Sequence, residues 1–304
     1  MRKKTIRQHA TRIRIGLFTT LLFMVLCMGQ VSHAQAATKT YKISSASDFH
    51  KISTYSGGTF KLTKDIKLTK KSQYLTISKN KTYTIDLNGH KITANFYTSG
   101  EIRDDVPILL KNGTLKIKNS ATKKGYISST EGATIQVTGG KLYTYKNVAI
   151  TCNNVGFIKN AFGYTVPNQA SAIVVTDGTY YAKGGNIYGV INGLSLYGGK
   201  LFTYGAGTKT YPSFKGTYGN GLFIAALTDA KVTLKGGSFI SETTNLSGYY
   251  PICDYYGNTL TLPTGYSFCD ASGSKRSIST DVYLKYVASD YNEEKGWQWI
   301  TIKK

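Results

Sequence analysis

The chain has 304 residues, with 38 lysines and arginines against 16 aspartates and glutamates, so its formal charge is +22 at pH 7. Its four cysteines and four histidines form no Cys-x-x-Cys pair and no histidine-rich segment, which argues against a zinc site. A basic chain can attract nucleic acid. No nucleic-acid-binding motif accompanies the charge here, so we predict no specific nucleic-acid partner.

The N-terminal segment has the three parts of a secretory signal peptide. Residues 2–14 contain six basic and no acidic side chains, residues 15–28 are an apolar run too short to cross a bilayer, and residues 34–36 (AQA) form a small-x-small cleavage pattern. We therefore predict a signal peptide at residues 1–36, secretion of the remainder, and no membrane anchor after cleavage. The secreted part would carry a charge of +16, because the six leader charges are lost.

A short helix is predicted next, within an N-terminal cap at residues 37–56. Ser45 stands three residues ahead of Asp48, as in a capping box, and Phe49 with Ile52 makes one apolar face. Such a helix would cover the open end of a repeat structure, whose terminal strands have unpaired backbone groups.

From Gly57 onward one small unit recurs: a turn rich in Gly, Asn or Asp, then a short strand in which aliphatic and polar residues alternate, as in residues 112–117 (NGTLKI) and 229–234 (DAKVTL). The alternation directs the aliphatic residues inward and leaves Thr, Ser or Lys outward. One short strand cannot bury its own apolar side, so each coil of about 20 to 27 residues must stack on its neighbour. We therefore predict an all-β fold, a single-stranded right-handed parallel β-helix, at residues 57–262.

Residues 263–304 are predicted to close the other end. Residues 281–288 and 296–303 have the pattern of two strands joined by a charged turn, and we expect a C-terminal β-hairpin lid. Trp297 and Trp299 fall on one side of the second strand. They would serve either as a stacking platform for a sugar ring or as packed residues of the lid.

Three cysteines remain after the leader, and export permits disulfides. Cys253 and Cys269 are the candidate disulfide pair, because they would close a short loop. An odd number of cysteines leaves at least one thiol, which we expect to be a buried small hydrophobic residue.

Two segments, 57–68 (GGTFKLTKDIKL) and 82–92 (TYTIDLNGHKI), resemble the opening coils of the pectin-lyase-like right-handed β-helix proteins that Gram-positive bacteria export. The run DLNGH is the most specific part of the match. The resemblance implies the fold and export. It implies no single activity, because the same scaffold carries lyases, hydrolases, adhesins and inert stalks.

An enzyme on this scaffold would need acidic residues that meet in one place. Hydrolases use converging carboxylates, and for a lyase of the pectate type the resemblance implies an aspartate-rich calcium site with a basic residue as the base. The densest acidic group is Glu101, Asp104 and Asp105, which would converge only in a loop. They are the candidate catalytic residues of one alternative, a polysaccharide lyase or glycoside hydrolase. Ca²⁺ is expected only under the lyase alternative, and otherwise we predict no cofactor and no metal.

The leading hypothesis is noncatalytic. Only Arg103 and Arg276 are arginines in the secreted part, so its charge is almost entirely lysine, which suits diffuse attraction to polyanions. The 24 tyrosines include pairs such as Tyr180 and Tyr181, whose rings suit carbohydrate or protein contact. We predict a secreted protein, retained at the wall by charge, that binds a cell-wall polyanion or glycan, or another surface protein. A passive structural protein is the third alternative, and the oligomeric state stays open.

Overall fold

Among the described residues, short β-strands account for most of the structure, together with one short α-helix and two single turns of 3₁₀-helix. The computed structural model describes residues 39–95, 106–130, 132–153, 157–159, 165–167, 171–205, 212–225, 230–242, 249–256, 260–279, 284–288, 291–292 and 297–304. All of them belong to one compact unit, Lys39–Lys304. The predicted signal peptide lies outside the described residues. The chain is thus mostly β, as the alternating pattern predicts.

The strands form three parallel ladders, and the chain visits ladders 1, 2 and 3 in turn before it returns to ladder 1. Ladder 1 contains β1 (Thr40–Ile43), β2 (Gly58–Leu62), β5 (Thr82–Asp86), β8 (Thr114–Lys118), the second halves of β10 (Ile135–Thr144) and β14 (Ile173–Ala182), β17 (Lys200–Thr203), β20 (Lys231–Leu234) and β23 (Leu260–Thr261). Ladder 2 contains β3 (Ile66–Leu68), β6 (Lys91–Ala94), β9 (Gly125–Ser129), β11 (Val148–Cys152), β15 (Asn186–Gly189), β18 (Ser213–Gly216) and β21 (Ser238–Ser241). Ladder 3 contains β4 (Leu75–Ile77), β7 (Ile108–Leu110), the first halves of β10 and β14, β16 (Leu194–Leu196), β19 (Leu222–Ile224) and β22 (Ile252–Asp254).

The core forms because side chains of equal parity lie in register on successive strands. In β8, Leu115 and Ile117 are fully buried, while Thr114, Lys116 and Lys118 remain half-exposed. Leu115 pairs in register with a buried residue on each neighbouring strand of the ladder, so the aliphatic residues form continuous inner rows. These rows from all three ladders meet in one large hydrophobic cluster. Burial of this apolar surface is the main force that holds the coils together.

In four successive coils, a glycine forms the turn that leads into the ladder 1 strand. Gly113, Gly140, Gly178 and Gly199 precede ladder 1 strand segments and have φ angles of 76°, 72°, 84° and 73°. Residues with a Cβ rarely adopt this left-handed conformation. At Gly140 there is also no room for a side chain, because a Cβ there would lie 2.5 Å from the carbonyl oxygen of Gly113.

The predicted N-terminal helix is present as α1 (Ala46–Lys51), which packs against β3 and β4. The Ser45 side chain caps it by accepting a hydrogen bond from the backbone N of Asp48 at 3.1 Å. The Asp48 carboxylate accepts from the backbone N of Ser44 at 3.1 Å, one residue earlier than in a standard capping box. This hydrogen bond is the largest reason that the pKa of Asp48 is lowered. Phe49 is fully buried.

The C-terminal strands pair differently from the predicted hairpin. The remaining strands are β12 (Phe157–Lys159), β13 (Thr165–Pro167), β24 (Ser267–Cys269), β25 (Lys275–Arg276), β26 (Lys285–Val287), β27 (Tyr291–Asn292) and β28 (Trp297–Lys303). β26 pairs antiparallel with β22 of ladder 3, whereas β28 pairs antiparallel with β21 of ladder 2. The hairpin prediction for these two strands was therefore wrong, because each satisfies the backbone edge of a different ladder. β28 forms its own short antiparallel pair with β27.

The candidate disulfide is not formed. Cys253 on β22 and Cys269 on β24 are separate buried thiols on different sheets, and Cys152 is a third buried thiol. Burial, followed by the charge of Asp254, raises the pKa of the Cys253 thiol to about 12. That thiol is therefore protonated and unreactive at neutral pH.

A thiol titration checks this arrangement. The folded chain from residue 37 onward should react negligibly with an aromatic disulfide reagent at pH 7.5, because its three thiols are buried. In concentrated guanidinium chloride, without reductant, all three should react. A titre of one thiol after unfolding would show that two cysteines are bridged and would contradict the structure.

Candidate functional site

The structure describes the two tryptophans predicted for the lid but none of the three candidate catalytic residues. Glu101, Asp104 and Asp105 lie outside the described residues. Trp297 begins β28, and only its backbone is described, opposite Asn292. Trp299 is half-buried and lies opposite Ile240 of β21.

Tyr180 is a core residue, which corrects its prediction as a ligand-binding residue. Its side chain is 0 % exposed, because position 180 belongs to an inward row of ladder 1. Its hydroxyl group lies 2.9 Å from the Thr144 hydroxyl group. Burial raises the pKa of Tyr180 well above its usual value. Tyr180 therefore contributes to the stability of the fold.

Tyr181 has the opposite parity and lies in an outward row of ladder 1, between Tyr143 and Phe202. The ring centroids of Tyr143 and Tyr181 are 4.5 Å apart with ring planes at 9°, and those of Tyr181 and Phe202 are 5.2 Å apart at 11°. The neighbouring rings thus cover both faces of Tyr181. A ligand can contact its edge and hydroxyl group, but it cannot stack on this ring as the sequence reasoning expects.

A row of lysines runs beside these rings on the same outward side. Lys141, Thr179, Lys200 and Lys231 lie in register on successive strands, and all three lysines are exposed. Lys200 and Lys231 occupy adjacent strands, which lie about 4.8 Å apart in a sheet. Like charges directly opposite each other are destabilising. The folded chain therefore holds positive charges together at a cost, which an external anion would relieve.

Lys183 brings a further ammonium group next to the aromatic row. Its Nζ lies 5.5 Å from the ring centroid of Tyr143 and 5.7 Å from that of Tyr204. Burial, followed by the neighbouring phenol groups, raises the pKa of Tyr143 and of Tyr204. Both phenols therefore remain neutral hydrogen-bond donors at physiological pH.

We call this surface the lysine–aromatic stripe, defined by Lys141, Tyr143, Tyr181, Lys183, Lys200, Phe202, Tyr204 and Lys231. Among the described residues, none of its four lysines forms an ion pair with a carboxylate. Asp177 lies two residues before Thr179, and its carboxylate accepts a hydrogen bond from the backbone N of Gly178 at 2.6 Å. The stripe thus presents ammonium groups, phenol hydroxyl groups and aromatic edges on one side of ladder 1.

Within the described ranges, no group of three or more His, Cys, Asp or Glu side chains could hold a metal ion. In that same part of the chain, no helix is long and apolar enough to cross a membrane.

Comparisons with protein-family models, with curated proteins and with solved structures found no match to this chain. The resemblance to the pectin-lyase-like proteins therefore stays a prediction.

Proposed function

We propose that the chain is a secreted or wall-associated, noncatalytic protein that folds as a single-stranded right-handed parallel β-helix and binds an anionic wall polymer. The β-helix is supported by the order in which the chain revisits its three ladders. The observation that carries the binding function is the in-register lysine row of the stripe, with Lys200 directly opposite Lys231.

A polymer is the ligand that fits this geometry best. Lysines occupy three of four successive positions in the row, with Thr179 between Lys141 and Lys200, so they match a ligand whose anionic groups also recur. Several weak contacts to one chain add up, because each contact after the first is intramolecular. Lysine is a hydrated point charge, which suits attraction to many anionic groups more than recognition of one planar group.

The aromatic row supports the lysines instead of stacking on sugar rings. Stacking covers both ring faces of Tyr181 and one face each of Tyr143 and Phe202, so these rings stiffen the surface on which the ligand lies. The Tyr143 and Tyr181 hydroxyl groups can still exchange hydrogen bonds with a polyhydroxylated ligand. Binding should therefore depend mainly on charge, and high salt should weaken it.

A triple variant tests this function. Lys141→Gln/Lys200→Gln/Lys231→Gln should weaken binding to polygalacturonate and to poly(glycerol phosphate) by about tenfold or more at low salt, because three recurring charges are removed. The measurement is the Kd of the chain from residue 37 onward for each immobilised polymer, with uncharged dextran as the neutral reference.

The matched control removes the same charge elsewhere. Lys64, Lys275 and Lys304 are exposed and lie outside the stripe, so Lys64→Gln/Lys275→Gln/Lys304→Gln should change each Kd by less than about threefold. Equal losses in the two triple variants would show that net charge alone drives binding and would overturn the assignment to the stripe. New unsaturated or reducing ends in polygalacturonate incubated with the protein would overturn the noncatalytic part of the proposal.

A further inference from the structure

A second basic surface lies on ladder 2, in a groove of about 530 Å³. Three lysines line it, Lys91 on β6 and Lys123 with Lys124 in the turn before β9, together with Tyr126 of β9. A volume of this size is in the range that small-molecule sites occupy. None of the described residues that line the groove carries a carboxylate.

The groove exists because short side chains alternate with long ones. Thr93, Ser128 and Thr151 lie in register on β6, β9 and β11, and they form a row of hydroxyl groups along the groove. The neighbouring outward row begins with Lys91 and Tyr126, whose long side chains rise beside the hydroxyl row. The Lys91 Nζ lies 5.8 Å from the centroid of the Tyr126 ring.

The turn that carries Lys123 and Lys124 is held in place by Asn119. The Asn119 side chain donates hydrogen bonds to the carbonyl oxygens of Ala121 and Lys123 at 3.0 and 2.7 Å. Its side-chain oxygen accepts from the backbone N of Gly89 at 2.7 Å. The two lysines thus belong to a turn that is tied to the previous coil, so the groove is preorganised for a ligand.

The carboxylate of Asp65 lies next to the groove and offsets part of its positive charge. Asp65 accepts hydrogen bonds from the backbone N of Lys91 at 3.0 Å and interacts with His90 at 3.2 Å, and these contacts help to lower its pKa. Its charge also interacts with Lys123. Among the described residues, the one negative charge of Asp65 stands against three lysines, so this part of the groove has a positive excess.

We propose that this groove binds a phosphate ester of a polyol. Three lysines line the groove, and several ammonium groups suit the three or four oxygens of a tetrahedral phosphate more than the two oxygens of a planar carboxylate. The hydroxyl row and the amide of Asn153 supply hydrogen-bond donors and acceptors for the hydroxyl groups of the polyol. This site is on a different ladder from the stripe and does not depend on the stripe's function.

Calorimetric titration with three small ligands tests the proposal. Glycerol 3-phosphate represents a free monoester, glycerophosphoglycerol represents the diester of a polymer, and glucuronate represents a sugar carboxylate. We expect at least one phosphate ester to bind about tenfold or more tightly than glucuronate. A preference for the diester assigns the natural ligand to a polymer chain, and a preference for the monoester assigns it to a free metabolite.

Two variants locate the binding site. Lys123→Gln/Lys124→Gln should weaken phosphate-ester binding about tenfold, whereas Lys64→Gln/Lys275→Gln, which removes the same charge elsewhere, should leave it within about twofold. Equal affinity for glucuronate, equal effects of the two variants, or no ester binding would overturn the proposal. The stripe variant should still bind the ester, so failure at the groove is distinguishable from failure of the proposed function.

Discussion

Tyr180→Ala is expected to lower the free energy of unfolding by about 3–5 kcal/mol, the usual cost of replacing a large buried aromatic residue by alanine. The Tyr180 side chain is fully buried in an inward row, and its ring packs edge-on against Phe214 with centroids 6.4 Å apart. The substitution leaves a cavity and removes one of the two hydrogen-bond partners of the Thr144 hydroxyl group, which also donates to the Gly184 carbonyl oxygen. Equilibrium denaturation in urea, followed by circular dichroism, measures the effect.

The adjacent tyrosine is the matched control. Tyr181→Ala removes a ring that is half-exposed in an outward row, so we expect a loss of about 1–3 kcal/mol from the two stacking contacts, smaller than that of Tyr180→Ala. If Tyr181→Ala were as damaging as Tyr180→Ala, or more so, the inward and outward rows of ladder 1 would be assigned to the wrong sides.

Gly140→Ala is expected to lower the free energy of unfolding by about 2–5 kcal/mol. The residue has a φ of 72°, which alanine adopts with strain. The added Cβ would also lie 2.5 Å from the carbonyl oxygen of Gly113 and 2.8 Å from the carbonyl carbon of Asn112, both in the neighbouring coil. The clash is with backbone atoms, so relief requires the two coils to separate. The same urea titration measures the loss.

Gly132 separates conformational strain from crowding. Its φ is 65°, close to that of Gly140, but a Cβ there would have no atom within 4 Å. Gly132→Ala should therefore cost only the strain of the left-handed conformation, about 1–2 kcal/mol. Equal losses in the free energy of unfolding for Gly132→Ala and Gly140→Ala would show that neighbouring coils are not in close contact at Gly140.

The elements that depend on local pattern were predictable from the sequence. Alternation in segments such as NGTLKI identifies β8 and its buried pair, Leu115 and Ile117. The cap signal at Ser45 and Asp48 identifies α1. In both cases the deciding interactions join residues a few positions apart, so the information lies within a short window.

The composition of the candidate site was predictable, but its location was not. From the lysine and tyrosine content we expected a surface rich in these residues, and its polyanion or glycan ligand stays a proposal. Which side chains meet depends on the register between coils of unequal length, which no local pattern specifies. The rings of the aromatic row, Tyr143, Tyr181 and Phe202, become neighbours only after the strands pair. A shift of one residue along the strand changes an inward side chain into an outward one, as the buried Tyr180 and the half-exposed Tyr181 illustrate.

Pairing at the C-terminal end depends on the same long-range information. The strand character of β26 and β28 is local, and the sequence indicates it. Their partners are β22 and β21, whose exposed backbone edges exist only once the ladders are assembled. From the sequence alone, a hairpin was the simplest arrangement of the two strands. In the structure they pair instead with the backbone edges of two different ladders.

Lysine footprinting tests the central claim most directly, which is that an anionic polymer lies along the stripe. The chain from residue 37 onward is acetylated briefly with and without saturating polygalacturonate, and modification at each lysine is measured by mass spectrometry. The account predicts that Lys141, Lys183, Lys200 and Lys231 are protected by the polymer, while Lys64 and Lys275 react equally in both samples. Uniform protection of all lysines, or protection that omits these four, would contradict it.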